Sequence, residues 1–284
     1  MKTKIINYPD LMKALDRKKK ENVFDVLHLD SFSELSSLVK GKHYFIRTYG
    51  CQANIRDEET MRGLLEKVGY LRCSTPEEAD LIIINTCAVR ENAEDKVYGE
   101  IGNLKYLMKK SNRILAICGC MVEQPEILKR ILDTYKEVNL FFGTHEIYQL
   151  LNLIYEVLTT KQRIVSIESK AGEVVENLPS CRNNKFKAFV NIMYGCDKFC
   201  TYCIVPYTRG KERSRKFNDV MNEVNELKTQ GYQEITFLGQ NVNAYGKDLN
   251  EGYDFADLLE AAAKTGIPRI RFTTSHPWDF SVKM

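Results

Sequence analysis

Residues 187–203 read Lys187-Ala188-Phe189-Val190-Asn191-Ile192-Met193-Tyr194-Gly195-Cys196-Asp197-Lys198-Phe199-Cys200-Thr201-Tyr202-Cys203. Lys187 to Met193 is a strand-like run, and it feeds straight into three cysteines spaced C-x3-C-x2-C. Three thiolates converging from one short loop can hold three irons of a 4Fe-4S cluster and leave the fourth iron without a protein ligand. An open iron can bind a small molecule and do chemistry on it. Zinc sites usually pair C-x2-C units with two further ligands at a distance, and here a single C-x2-C stands with no His nearby. A disulfide framework is disfavoured by an N-terminus, MKTKIINYPD, without an apolar signal segment, and by the odd count of nine Cys. Soft thiolates favour iron–sulfur, with zinc and chance spacing as the alternatives.

Downstream of the loop the pattern is strand and helix in turn. Asn218 to Thr229 has helical spacing, Glu234 to Leu238 is a strand ending in Gly239-Gln240-Asn241, Phe255 to Thr265 is a helix, and Arg269 to Thr273 begins a third strand. Two and a half such units do not close a barrel, so the expectation is a partial (β/α) barrel and a chain that is a fragment. Upstream, alternation begins at His43. Strands are expected at His43–Thr48, Asp80–Asn85, Arg113–Cys118 and Val138–Phe142, with helices over 58–68, 91–108, 125–132 and 145–158. The run Leu81-Ile82-Ile83-Ile84 has the length and β-branched content of a buried parallel strand. The fold class is therefore α/β: an amino-terminal open parallel-sheet domain of four strands over 41–158, a turn-rich linker over 159–186 with one strand-like piece at Arg163 to Ile167, and a partial barrel over 187–284. Residues 1–40, with Arg17-Lys18-Lys19-Lys20 in their midst, read as a surface extension with short helices.

The chain has 284 residues, 44% hydrophobic and 28% charged, enough for one or two domains with cores of their own. No apolar run approaches the roughly 18 residues of a membrane span, and a reduced, cytoplasmic compartment suits the cysteine usage. Net charge is only +3. Between Arg182 and Lys216, however, basic residues are opposed only by Asp197 and Glu212. That stretch is either a field for an anionic substrate such as RNA or a solvated face.

Cys51, Cys87 and Cys120 each follow an expected strand, in the contexts Thr48-Tyr49-Gly50-Cys51-Gln52-Ala53-Asn54, Asn85-Thr86-Cys87-Ala88-Val89-Arg90 and Cys118-Gly119-Cys120-Met121. In open parallel sheets ligands lie beyond the carboxyl ends of the strands, so these three can meet there as the ligands of a second cluster. Three ordinary buried thiols are the alternative. Cys73, Cys118 and Cys181 read as structural.

The run Tyr194-Gly195-Cys196 through Pro206-Tyr207-Thr208-Arg209-Gly210, with Glu212, Ser214 and Arg215, resembles the radical S-adenosylmethionine motif of the methylthiotransferases. The contexts of Cys51, Cys87 and Cys120 are similar to the amino-terminal domain of that family, and Thr48-Tyr49-Gly50-Cys51-Gln52 resembles its branch that acts on dimethylallyladenosine in tRNA. The resemblance runs from about residue 40 onward. It implies two 4Fe-4S clusters: a radical-generating one on Cys196, Cys200 and Cys203, whose open iron chelates S-adenosylmethionine, and an auxiliary one on Cys51, Cys87 and Cys120, which supplies sulfur. The implied reaction is methylthiolation of carbon 2 of N(6)-dimethylallyladenosine at position 37 of tRNA with two S-adenosylmethionine molecules. Other members act on threonylcarbamoyladenosine tRNA or ribosomal protein S12, and a non-catalytic iron–sulfur protein is a reading from another class. Tyr202, Gly239, Gln240 and Asn241 are candidates for S-adenosylmethionine contact, and Arg209, Arg213 and Arg215 for RNA phosphate contact. His276 and Trp278 read as structural. The implied partners are tRNA, an electron donor such as flavodoxin or ferredoxin, and a sulfur donor or cluster carrier, acting on a monomer with no membrane. The family's remaining barrel and its C-terminal RNA-binding domain are expected to be missing.

Overall fold

The computed structural model describes residues 2–16, 29–88, 91–108, 112–172 and 174–284; the basic run at Arg17–Lys20 lies outside them. The strands are β1 (Thr3–Asn7), β2 (His43–Tyr49), β3 (Leu71–Arg72), β4 (Leu81–Thr86), β5 (Ile114–Gly119), β6 (Leu140–Phe142), β7 (Arg163–Ser166), β8 (Lys187–Asn191), β9 (Met193–Tyr194), β10 (Arg213–Ser214), β11 (Glu234–Leu238) and β12 (Arg269–Thr273). The helices are α1 (Leu11–Ala14), α2 (Leu29–Val39), α3 (Gln52–Lys67), α4 (Glu91–Met108), α5 (Pro125–Thr134), α6 (Leu150–Thr160), α7 (Val205–Thr208), α8 (Phe217–Thr229) and α9 (Phe255–Lys264).

Seven strands form one parallel sheet in the order β1-β7-β6-β5-β4-β2-β3. The sequence pattern led us to expect four. Three elements account for the difference. Arg163–Ser166, read as a strand-like piece of the linker rather than of the sheet, is buried at every position and pairs with β6. Thr3–Asn7, read as part of an extension, pairs with β7. Leu71–Arg72 is a two-residue edge strand on β2. Residues 1–40 are thus no mere extension: β1 closes one edge of the sheet, and α2 sends Leu35 and Val39 into the core.

β4 and β5 are buried along their whole length, as central parallel strands with helices on both faces must be. One core lies on each face. On one side Leu81 and Ile83 pack with Met61, Leu64 and Leu65 of α3 and Leu150, Leu151 and Ile154 of α6. On the other, Ile82 and Ile84 pack with Val97, Ile101 and Leu104 of α4 and Leu128 and Ile131 of α5. The alternating Ile residues of one strand feed both cores because successive side chains point to opposite faces.

The second unit is a three-stranded parallel sheet, β12-β11-β8. α8 and α9 cover it through Val220, Val224, Phe255 and Leu258, with Ile235 and Phe237 beneath. A two-stranded antiparallel ribbon, β9 with β10, sits beside the cysteine loop. Among the described residues no helix is long and apolar enough to cross a membrane.

Candidate functional site

The strand-end trio follows from the register of the sheet. Tyr49 lies beside Thr86, and Thr86 beside Gly119. β2, β4 and β5 therefore stop level with one another, and neighbouring strands stand about 5 Å apart. Cys51, Cys87 and Cys120 emerge one or two residues later at the same edge.

Local sequence fixes each departure. Gly119 has φ +95°, a conformation suited to glycine, and a Cβ there would stand 2.2 Å from the carbonyl oxygen of Thr86. That close approach brings Cys120 against the Cys87 turn. Cys51 is the N-cap of α3, in extended conformation. Asn54 lies one turn in and is fully buried. Its Oδ1 accepts from the Cys51 backbone N–H at 3.2 Å, and its Nδ2 donates to the Thr86 carbonyl at 3.0 Å and to Asn85 Oδ1 at 3.2 Å. Asn85 Nδ2 returns a bond to the Asn54 carbonyl at 2.8 Å. Two buried amides thus lock the Cys51 turn to the Cys87 turn. Asn85 carried a signal in the sequence, being a polar residue at the end of an isoleucine run.

The thiols share one electrostatic environment. A hydrogen bond from Cys87 to the Cys51 sulfur, with the positive charge of Arg209 nearby, holds the Cys51 thiol well below its ordinary range. Burial pushes the Cys120 thiol up, and Arg209 works against that rise. Arg209 Nε stands 3.2 Å from Cys120 Sγ, and its Nη2 lies 2.8 Å from Asp57 Oδ2. Both Arg209 and Asp57 are buried.

The loop trio is built differently. Gly195 turns with φ +75°, where a Cβ would stand 2.0 Å from the Lys211 carbonyl oxygen. Its N–H donates to Gln240 Oε1 at 2.6 Å. The Cys196 N–H donates to the Gly210 carbonyl at 3.1 Å, and Cys203 N–H to the Cys200 carbonyl at 2.9 Å. Asp197 and Glu212 exchange backbone-to-carboxylate bonds of 3.2 Å in both directions. Asp279 accepts from Lys198 at 2.8 Å and from Asn241 Nδ2 at 2.6 Å. Burial favours the neutral acid, but hydrogen bonds from Lys198, Lys247 and Asn241 prevail and hold the Asp279 carboxyl well below the usual carboxylate range. Cys200 Sγ lies 3.7 Å from His276 Nε2, so His276 belongs to the loop's surroundings. Burial pushes the Cys196 thiol up to about 11.

Among the described residues no three His, Cys, Asp or Glu side chains converge on a single-ion position. A four-iron cubane is larger than one ion and takes thiolates that stand further apart, which suits donors supplied by three successive strand ends. Both trios are soft thiolate sets of three, and the residues present fit such a group. The thiols raised by burial would release protons on binding it.

Other expected residues fall out variously. Tyr202 is 91% exposed, which rules out core packing and leaves its ring open to a ligand. Gly239 is required by its neighbour: a Cβ there would stand 2.6 Å from Met193 Cγ. Gln240 holds the Gly195 turn, and Asn241 is fully buried against Asp279. Both amide side chains are therefore engaged in holding the loop.

The RNA-phosphate reading of the three arginines is corrected. Arg209 is committed to Cys120 and Asp57. Arg215 is buried and bonded to Glu176 at 2.7 Å, Glu223 at 2.5 Å and the Asn191 carbonyl at 2.8 Å. Arg213 donates to the Gly172 carbonyl at 2.9 Å and lies over the Tyr194 ring, and burial pulls its pKa down to about 10. Sequence charge alone could not separate these inward-facing cations from surface ones. A cavity of about 480 Å³ lies between the two units, with Arg56, Asp57, Tyr194, Arg209 and Arg213 in its wall.

Residues 190–280 match the model of the radical SAM superfamily, and residues 43–143 match that of a family described as uncharacterized protein family UPF0004. Over residues 190–280 the chain is similar to the radical SAM superfamily. The matched stretch begins in β8 and carries the loop trio, and the superfamily's name points to S-adenosylmethionine, which goes with a 4Fe-4S cluster. A Staphylococcus epidermidis protein is 51% identical over 280 residues, which is 97% of this chain and 54% of the relative. A Shouchella clausii protein is 52% identical over 267 residues (93% and 51%), and one from Oceanobacillus iheyensis 51% over 281 residues (97% and 53%). All three are named tRNA-2-methylthio-N(6)-dimethylallyladenosine synthase. The chain spans about half the length of the curated relatives it matches.

Proposed function

We propose that this chain carries the two cluster-binding halves of a tRNA methylthiotransferase acting on carbon 2 of N(6)-dimethylallyladenosine at position 37. The observation that supports it most directly is the presence of two three-thiol sets, one from the radical SAM loop and one from level strand ends, joined through Arg209. Cys196, Cys200 and Cys203 hold one 4Fe-4S cluster, and Cys51, Cys87 and Cys120 the other. Two such clusters with S-adenosylmethionine supply one-electron chemistry, suited to an aromatic C–H with no acidic proton for a base to remove.

The residues of the chain position and shield. Gly195, Gln240, Asn241 and Asp279 hold the loop trio in shape, while Asn54 and Asn85 lock the strand-end turns. Tyr202 offers a free ring for an adenine, a stacking worth about 1–3 kcal/mol per base. The remaining parts of the reading are an electron donor such as flavodoxin or ferredoxin, a sulfur donor or cluster carrier, a monomeric state and a cytoplasmic location.

Anaerobic reconstitution with iron and sulfide tests the proposal. About eight irons per chain and 5′-deoxyadenosine on reduction are expected. tRNA from a strain lacking the gene should lose its methylthio group. Colourless protein that retains zinc would sink the reading.

A further inference from the structure

Arg209 belongs to the radical SAM domain in sequence, yet its guanidinium lies in the other domain's thiol site. It follows Cys203 after only the short helix α7, so one stretch of chain leaves one cysteine set and enters the other. Its Nε lies 3.2 Å from Cys120 Sγ, and its Nη2 2.8 Å from Asp57 Oδ2 on the second turn of α3. The guanidinium and the carboxylate are each less than a tenth exposed. Taking an ion pair out of water is expensive, and well-packed apolar residues often do as well for stability. A buried charge beside a cysteine sulfur therefore asks for a role beyond holding two domains together.

We propose that Arg209 is a positioning residue of the Cys51–Cys87–Cys120 site, a cation delivered across the domain boundary that offsets thiolate charge and raises the reduction potential of the cluster held there. The proposal rests on the assignment of that trio to a cluster. Three thiolates bring three negative charges into a buried pocket. The helix N-terminus at Cys51 offsets a part of that charge, and Arg209 is a cation in contact with a ligand sulfur. Hydrogen bonds to cluster sulfurs and nearby charge are established levers on such potentials. A positive neighbour favours the more negative, reduced state. Asp57 shields that charge in part, so Asp57 and Arg209 act on the potential with opposite signs.

The test uses a parent protein with Cys196, Cys200 and Cys203 changed to Ala, so that only the strand-end trio can load. After anaerobic reconstitution, iron is counted and the midpoint potential is followed by paramagnetic resonance during a redox titration. The parent should hold about four irons. Arg209→Gln should shift the midpoint negative and alter the resonance of the reduced cluster, Asp57→Asn should shift it positive, and Arg209→Lys should stay nearer the parent than Arg209→Gln does. Merely structural damage would push both partners' variants the same way. A parent that loads no iron removes the three-thiol assignment and this proposal with it. A loaded parent whose midpoint is unmoved in Arg209→Gln, or moves in one direction for both residues, overturns the role of Arg209 alone. Should Arg209→Gln fail to fold, the positive shift in Asp57→Asn and the position of Arg209→Lys still decide the matter.

Discussion

The two cysteine trios reach a similar end by opposite means. Cys196, Cys200 and Cys203 lie within one loop, and their geometry is a matter of turns: a left-handed glycine, short backbone bonds and the donors Lys198, Lys247 and Asn241 gathered on Asp279. Cys51, Cys87 and Cys120 are spread along the first domain, and their geometry is a matter of sheet register. The loop trio takes all its ligands from one loop, braced by Gln240, Asn241 and Asp279 from later in the chain. The strand-end trio exists only when β2, β4 and β5 are paired in the observed alignment. One loop can supply the first set of ligands, and only a paired sheet can supply the second.

The largest effects should separate the trios by function. Cys196→Ala should abolish 5′-deoxyadenosine formation to below detection. Cys51→Ala should keep it, while methylthio transfer to tRNA disappears. Product analysis by mass spectrometry checks both, and equal loss of 5′-deoxyadenosine in the two variants would show that the sites do not divide the work.

pH should affect the two neighbourhoods with opposite signs. Near the strand-end trio, burial pushes the Glu123 carboxyl up to about 8. One of its oxygens accepts from the Thr144 N–H at 2.7 Å, and the other is buried without a partner. An unfolded glutamate releases its proton near ~4.3, so the folded state is increasingly disfavoured as pH rises from there to about 8, by on the order of a few kcal/mol. Glu123→Gln should flatten that slope in urea melts. The loop trio is braced by ionised Asp279, whose carboxyl is depressed. Its contribution is present above the unfolded value of ~3.9 and is lost as pH falls below it. Asp279→Asn should remove that acid limb.

A smaller effect concerns register. Gly119→Ala places a Cβ 2.2 Å from a strand carbonyl, at a positive φ. A cost above about 2 kcal/mol is expected, since left-handed backbone alone costs roughly 1–2 kcal/mol for an L-residue. Iron should be lost from the strand-end trio and kept by the loop trio. Loss from both would mean that the two sites fold as one. Smallest of all, Tyr202→Ala should leave the thermal midpoint nearly unchanged, within about 0.5 kcal/mol, because the ring is exposed. The affinity for S-adenosylmethionine should fall, and calorimetric titration would read it.

This contrast also explains what the sequence could disclose. The loop trio is legible because its ligands are adjacent and the preceding strand is regular. The strand-end trio is legible only by inference, since each Cys follows an apolar run and parallel strands put such ends on one side. Register and order could not be read. β1 escaped notice because a short strand flanked by turns carries little periodic signal, and β7 was legible as a strand-like piece but not as a member of the sheet. Arg209 was misplaced for a physical reason. A cation in a basic stretch looks solvated unless the acid that meets it is known, and Asp57 is remote in sequence. Asn54 and Asn85 lay within the quoted motifs, but their mutual bonds appear only once α3 stands over β4.

The edge strand β1 has a further consequence, for the order of folding. Thr3 pairs with Arg163, so this strand must wait for some 160 further residues, nearly the whole parallel-sheet unit, before it finds its partner. Closing such a long loop is entropically costly, and parallel pairing over that separation is slow. Until then the edge of β7 stays open, a template for pairing with another chain. Pulse-labelled hydrogen exchange during refolding should find the β1–β7 amides among the last in the sheet to gain protection. Early protection there would mean that this edge is sealed by some other route.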